Sequence, residues 1–335
     1  MPELPEVETI KIGLSKKIIG LKIKSIQILN PKSFQGNSEL VMGGEITQVW
    51  RKAKMLGIEF TPSLRSKRPE ASLRASKRRG NLVSTRSSRR SAPQDDNLLT
   101  LLIHLKMSGQ IIFLPATSNL KPNTRFIGGH PTKDMFSDLP NKSTRVIFEL
   151  ENSTLHPVPS TLFFNDQRKF GWIKLLSDDE SRELANKVLS KLGPEPLEKN
   201  FTWQILKSKI LNHKSSPIKI TILDQTVVSG VGNIYACEAL YQAKIDPRKK
   251  VSELSDAEVK RLREGIVSSL KDGIKYGGST RTHFVSDEGK KGLFLDYAKV
   301  YNRLGRPCKI CGTKIAKIKL GGRGTFYCPT CQNDV

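Results

Sequence analysis

The chain opens Met1-Pro2-Glu3-Leu4-Pro5-Glu6, which brings an amine and two carboxylates to one end. Removal of Met1, which the small residue behind it permits, leaves a proline whose nitrogen is a secondary amine. An α-amino group has a pKa of about 7.7–8.0, so near neutral pH part of it is an unprotonated nucleophile. Attack on an aldehyde-like carbon, such as C1′ of a sugar losing its base, gives an iminium. Its positive charge acidifies the neighbouring C–H and favours elimination. Glu3 and Glu6 stand beside this amine as candidate acids or bases. Read alone, the six residues are more often a frayed N-terminus that happens to read Pro-Glu at a helix start.

The tail carries a more specific signal. Cys308-x-x-Cys311 and Cys328-x-x-Cys331 are separated by 16 residues that read as strand, glycine turn and strand. Four thiolates at this spacing make a closed tetrahedral zinc site, structural because no ligand position stays open. Eight cations and one acid lie from Ala298 onward, and Arg323 sits beside the hairpin turn, so the finger offers an arginine to a polyanion. Cys237 stands apart and reads as a small core residue. His104, His156 and His283 have no metal-like partner spacing and read as structural or surface residues.

Elements must position these groups. Pro5, Glu6 and Glu8 suit a first helical turn, and Val7, Ile10 and Leu14 recur at helical spacing, so the nucleophile would be held against a helix. Short alternating runs at 23–28 and 46–50 predict strands, followed by more at 98–106, 111–114, 145–150 and 162–165. The run 50–57, with Arg51, Lys52 and Lys54, suits either a turn facing an anion or a solvated basic turn. Asp166 to Trp172 interleaves Arg168 and Lys169 with aromatics, a composition able to wedge into a base stack or to form an ordinary turn with one core aromatic. Helices are predicted at 178–192, 203–212, 218–226 (capped by Ser216), 234–243 and 256–276 (capped by Ser255). Between the third and fourth of these, Val228-Ser229-Gly230-Val231-Gly232-Asn233 lets the backbone turn tightly onto a helix N-terminus able to receive a phosphate.

Composition narrows the partner. The 335 residues suffice for two or three domains, and no apolar run approaches a membrane span. The acidic start lacks the basic region of a signal peptide, so an intracellular, soluble protein is expected. The net charge of +24 points to a polyanion, and nucleic acid ranks before a membrane surface because no anchoring helix is evident. Part of that charge sits in the stretch 61–96, where ten Lys and Arg face few acids. It reads as an inserted disordered loop, serving as a DNA tether, a localisation signal or nothing at all.

The start Pro2-Glu3-Leu4-Pro5-Glu6-Val7-Glu8-Thr9, the corner Val231-Gly232-Asn233-Ile234-Tyr235-Ala236 and the tail from Arg323 to Gln332 resemble the formamidopyrimidine-DNA glycosylases, sister to endonuclease VIII. The resemblance leaves the two insertions outside. It implies an α+β multidomain fold: an N-terminal β-sandwich with flanking helices over 1–176 (insertions 61–96 and 115–142), a helix and linker at 177–193, a helix-two-turns-helix domain at 194–297 with a lesion-covering loop at 277–292, and a β-hairpin zinc finger at 298–335. It implies a bifunctional DNA glycosylase and AP lyase of base-excision repair acting on oxidised purines in duplex DNA, as a monomer, in the cytoplasm and near the nucleoid if bacterial.

Carried over by motif, Pro2 would be the Schiff-base nucleophile and Glu3 the acid that helps open the sugar ring. Glu6 would support them, and Lys54 would contact phosphate and assist elimination. Lys219, Asn233 and Arg323 would grip the backbone, with Tyr235 in the same corner and Ser279 and Thr280 in the covering loop. Met107, Arg168 and Phe170 would fill the gap left by the flipped base. Two alternatives stand beside this reading: an endonuclease VIII-like enzyme for oxidised pyrimidines, against which Leu4 and the Met107, Arg168 and Phe170 set argue, and a non-catalytic zinc-finger DNA-binding protein, against which intact Pro2, Glu3 and Lys54 argue. The covering loop departs from the family, which commonly has its arginine where this chain has Thr282 and an acid or threonine at His283.

Overall fold

Helix α1 (Leu4–Ile18) forms where the sequence predicts it. Pro5 lies in its first turn, the Glu3 N–H donates to Glu6 Oε2 at 2.8 Å, and Lys16 and Lys17 face the negative end of the dipole. The computed structural model describes residues 2–63, 98–115, 125–130, 132, 137–151, 159–177, 179–279 and 293–333. Thr280, Arg281, Thr282, His283, His156 and nearly all of the basic stretch 61–96 therefore lie outside the described residues.

Among the described residues ten strands follow: β1 (Lys22–Ile28), β2 (Phe34–Gln35), β3 (Glu45–Lys52), β4 (Met55–Thr61), β5 (Leu99–His104), β6 (Gly109–Leu114), β7 (Phe126–Gly129), β8 (Thr144–Glu151), β9 (Ser160–Asp166) and β10 (Trp172–Leu176). They hydrogen-bond in the order β2-β10-β5-β4-β3-β1-β8-β9-β6-β7, antiparallel except for β10 with β2. Only Lys22 and Glu45 pair β1 with β3, so the ribbon folds there into two five-stranded layers. Inward residues of both layers, among them Ile58 and Leu101 from one and Phe148 and Phe164 from the other, share one core with Val7, Ile10 and Leu14 of α1. This is the expected sandwich.

The helical part comprises α2 (Asp179–Leu189), α3 (Trp203–Ile210), α4 (Ile218–Leu223), α5 (Asn233–Ala243), α6 (Asp256–Lys275) and the short α7 (Phe294–Tyr297). Its core is built on the crossing of α5 with α6, through Ala239, Leu240, Leu262 and Ile266. Leu4 is buried in this second core and its N–H donates to the Gly230 carbonyl at 3.0 Å. One helix thus serves two cores, which pins the N-terminus in the cleft between them. The hairpin β11 (Ala316–Leu320) and β12 (Arg323–Tyr327) closes the chain. It packs on α5 through Tyr241, Val300 and Phe326. The buried Glu238 carboxylate accepts from the N–H groups of Lys299, Val300 and Tyr301 at 2.8–3.0 Å and so fixes the segment leading into the finger.

Four local expectations change. The irregular stretch 115–142 contains β7, whose Phe-Ile-Gly-Gly sequence pairs with β6 although its glycines carry no strand signal. The helix expected at 178–192 spans only Asp179–Leu189, and Gly193 N–H leaves it for the Gln225 carbonyl. The helix expected to reach 226 stops at Leu223, because Asp224 turns extended and its Oδ1 accepts from the Thr226 N–H and hydroxyl at 2.8 Å, a local competitor to the helix ladder. The same helix is not capped by Ser216: Pro217 occupies the cap and the Ile218 N–H is satisfied by the Lys249 carbonyl at 2.8 Å. Ser255 does cap α6. No helix among the described residues is long and apolar enough to cross a membrane.

Candidate active site and DNA-binding cleft

Pro2 and Glu3 are buried where α1 meets the helical domain. The Glu3 carboxylate docks on the N-terminus of α5, accepting from Ile234 N–H at 3.1 Å and Tyr235 N–H at 3.4 Å. Free N–H groups and the helix dipole suit a carboxylate there. The dock requires Gly232: a Cβ at that position would lie 2.2 Å from Glu3 Cδ. Burial, opposed by Lys54 and reinforced by Glu6, raises Glu3 to about 7, so near neutrality it can hold a proton and give it up. Glu6 is a hub. Its Oε1 accepts from the Tyr235 hydroxyl and from the Ser279 N–H, both at 2.8 Å, and its Oε2 from the Glu3 N–H. Ser279 thus ties the base of the expected covering loop to the N-terminus through its backbone. Tyr235 is wholly buried against Phe294, so the expectation that it touches DNA gives way to a role holding Glu6.

Lys54 enters from the turn between β3 and β4. Its Nζ donates to the Val231 carbonyl at 2.8 Å, and burial lowers its pKa against the pull of Glu3. The turn needs Ala53 at φ 52°, a left-handed conformation that a non-glycine residue holds only when its surroundings impose it. Glu195 imposes it: this buried carboxylate takes the Ala53 N–H and pairs with Arg51 Nη1 at 2.9 Å, while Arg51 Nε pairs with Glu8 at 2.7 Å. The sequence offered no sign of this role, since Glu195 sits in a Gly-Pro-Glu-Pro stretch that reads as a linker. His104, read in the sequence as structural or surface, stands at the end of β5. It pairs with Met55 across the sheet, its Nδ1 accepts from Lys106 N–H at 3.0 Å, and burial with two neighbouring lysines lowers it to about 3. The imidazole is therefore neutral, with the Nε2–H left to donate.

Lys219, on α4, is wholly buried and donates to Asn233 Oδ1 at 2.6 Å, while Asn233 Nδ2 donates to the Gly324 carbonyl at 3.0 Å. Arg323 lies exposed at the start of β12, close enough to lower the pKa of both Lys54 and Lys219 after burial itself. The cleft between sandwich, helices and finger is accordingly cationic around one carboxylate pair.

Met107 and Phe170 project from neighbouring turns, 41% and 55% exposed, and the Arg168 guanidinium lies 5.0 Å from the Phe170 ring centre. Asp166 builds this double turn. Fully buried, it accepts from the Ser108 hydroxyl, from Arg168 N–H at 3.2 Å and from Gly171 N–H at 2.5 Å, while Lys169 takes φ 60°. Asp166→Ala would strand several buried donors and is expected to lower stability by about 3 kcal/mol, as read by urea unfolding. Little change would mean that water replaces the carboxylate.

The four finger cysteines form the one cluster of metal-ligating side chains among the described residues, with sulfurs all within 4.8 Å of one another. The Cys308–Cys331 and Cys311–Cys328 sulfurs lie 3.8 and 3.5 Å apart. Tetrahedral Zn–S bonds of about 2.3 Å require sulfurs about 3.8 Å apart, whereas a disulfide requires about 2 Å. Backbone N–H groups of Ile310 and Cys331 point at the sulfurs of Cys308 and Cys328 at 3.4 Å, as thiolate ligands need. The set fits one structural zinc, which would order the hairpin carrying Arg323. Elemental analysis is expected to give about one zinc per chain, lost in Cys311→Ser. Cys237 is buried with its thiol pushed up to about 11, an inert core residue.

A curled sandwich that brings a lysine turn to a helical corner, with a thiolate hairpin closing the third side, defines the helix-two-turns-helix class of DNA-binding proteins. The comparisons make the assignment specific. Residues 1–173 match the formamidopyrimidine-DNA glycosylase N-terminal domain, 192–285 its H2TH domain, and 305–333 the zinc finger found in FPG and IleRS. The chain is 35% identical to the formamidopyrimidine-DNA glycosylase of Pelotomaculum thermopropionicum, over 99% of both chains, and 34% identical to that of Streptococcus pyogenes over 99% of this chain and 98% of the other. A solved complex of Lactococcus lactis Fpg with DNA containing an abasic site superposes with a TM-score of 0.73, at 28% identity, covering 99% of this chain and all of that one. The chain belongs to the formamidopyrimidine-DNA glycosylase family.

Proposed function

We propose that this chain is a bifunctional DNA glycosylase and AP lyase of base-excision repair, acting on oxidised purines in duplex DNA. The observation that carries the reading is the Glu3 carboxylate, raised to about 7 and seated on α5 beside Lys54, directly after the Pro2 whose amine can form an iminium. In this scheme the Pro2 nitrogen attacks C1′ as the damaged base leaves, and Glu3 gives its proton to the ring oxygen so that the sugar opens to an iminium. Loss of a C2′ proton, an elimination that Lys54 would assist, then expels the 3′ phosphate, a second elimination expels the 5′ phosphate, and water hydrolyses the iminium to free the proline. Lys54, Lys219, Asn233, Arg323 and the neutral His104 would hold phosphates around the extruded nucleotide, and Met107, Arg168 and Phe170 would enter the stack. A monomer working beside the chromosome in the cytoplasm fits this role.

Borohydride trapping tests the reading on three duplexes, carrying 8-oxoguanine opposite cytosine, 5-hydroxycytosine opposite guanine, or an abasic site. A covalent adduct with strand cleavage on the first is expected. An adduct on the abasic duplex alone would keep the lyase and move the base preference elsewhere, and none on any duplex would favour a binding-only protein. If the stretch 61–96 is an electrostatic tether, its deletion is expected to flatten the salt dependence of non-specific DNA binding; an unchanged slope would mean that it does not touch DNA.

A further inference from the structure

Thr325, on β12, and Lys219, on α4, meet without exposed surface where the hairpin packs against the helical domain. The Thr325 hydroxyl donates to the Arg323 carbonyl at 3.2 Å, which leaves the oxygen free to accept, and Lys219 Nζ lies 2.8 Å away. The Lys219 ammonium has three donors. Asn233 Oδ1 and Thr325 Oγ1 take two of them, and the third has no protein partner among the described residues. The Gly324 carbonyl fixes the Asn233 amide from the same strand, by accepting from Nδ2. Two successive residues of the zinc-finger hairpin therefore aim one lysine that belongs to the helical domain.

We infer that Thr325 is a positioning residue: its hydroxyl orients the Lys219 ammonium toward a DNA phosphate, so that the finger completes a backbone grip begun on α4. The inference rests on the DNA-binding reading above and adds a residue and a route to it. The finger contributes more than Arg323, because without the hydroxyl the ammonium loses one of its two anchors and swings on a four-carbon stem.

The test compares wild type, Thr325→Val and Thr325→Ser on a duplex carrying a tetrahydrofuran abasic analogue, which cannot form an iminium. The readout is the slope of log Kobs against log salt. Valine keeps the shape and removes the acceptor, so the slope is expected to shrink by about 0.9, one phosphate contact, with binding weaker by roughly tenfold at low salt. Serine keeps the acceptor and is expected to restore the wild-type slope. Adding Thr325→Val to Lys219→Met is expected to weaken binding no further. A wild-type slope in the valine variant, or full additivity with Lys219→Met, would overturn the inference. Zinc content is measured alongside: should valine lose the metal, Thr325→Ala serves in its place, and loss of zinc from both would assign the hydroxyl to the finger's own folding and overturn it too. Failure of wild type to bind the duplex would instead sink the functional reading.

Discussion

Pro2→Gly is expected to slow strand cleavage by about 10²-fold or more and to abolish most of the borohydride adduct, while binding to an uncleavable lesion duplex stays within a few-fold of wild type. Glycine keeps an amine but a primary, freely rotating one, and a nucleophile displaced by about 1 Å loses on the order of 10²-fold in rate. Binding should survive because the anchors of the segment lie after residue 2: Leu4 in the helical core, its N–H on Gly230, and the Glu3 carboxylate on α5. Single-turnover cleavage with a parallel trapping assay checks the result. Undiminished cleavage would remove Pro2 from the mechanism.

Glu3→Gln separates the two activities. The amide can accept from α5 but has no ionisable proton to supply, so release of 8-oxoguanine is expected to fall by about 10²–10⁴-fold. Cleavage at a preformed abasic site should fall far less, since that sugar already opens to an aldehyde without help. The pH profile gives an independent reading. The acid is protonated below its pKa of about 7 and ionises above it, so base release should decline by about tenfold per pH unit on the alkaline side of neutrality. The glutamine variant should lose that alkaline limb. Equal losses on intact and abasic substrates would show that Glu3 serves the nucleophile and not the sugar ring.

The parts legible in the sequence are those whose determinants are local. The first helix shows its proline, its acidic turn and its apolar stripe within fifteen residues, and the finger shows two Cys-x-x-Cys pairs around a short hairpin. The Lys54 turn was visible as a basic turn, but its cause was not: the carboxylate that holds Ala53 lies 142 residues away in the chain. Asp166 and His104 look ordinary in sequence for the same reason, since one gathers donors from two turns and the other gains its neutrality from burial next to lysines. Tyr235 was assigned to the right corner with the wrong face, because an aromatic after Gly-Asn does not reveal whether it points at solvent or at Glu6. β7 escaped because pairing with β6, and not its own composition, makes it a strand.

The docking of Glu3 and Glu6 on the helical domain has a consequence for how the protein is made. The reactive amine is among the first residues to leave the ribosome, yet the groups that seat it are residues 230–235 and 279, and the hairpin at 323–325 closes the cleft last. At about 5–20 residues per second, roughly fifteen to sixty-five seconds separate the emergence of the amine and of that hairpin. On the proposed scheme the nascent chain carries, during that interval, an iminium-forming proline with neither its acid seated nor its phosphate grip assembled. Competence on that scheme arrives only once the hairpin is made, and fragments that stop before it carry the proposed nucleophile without the means to use it on DNA.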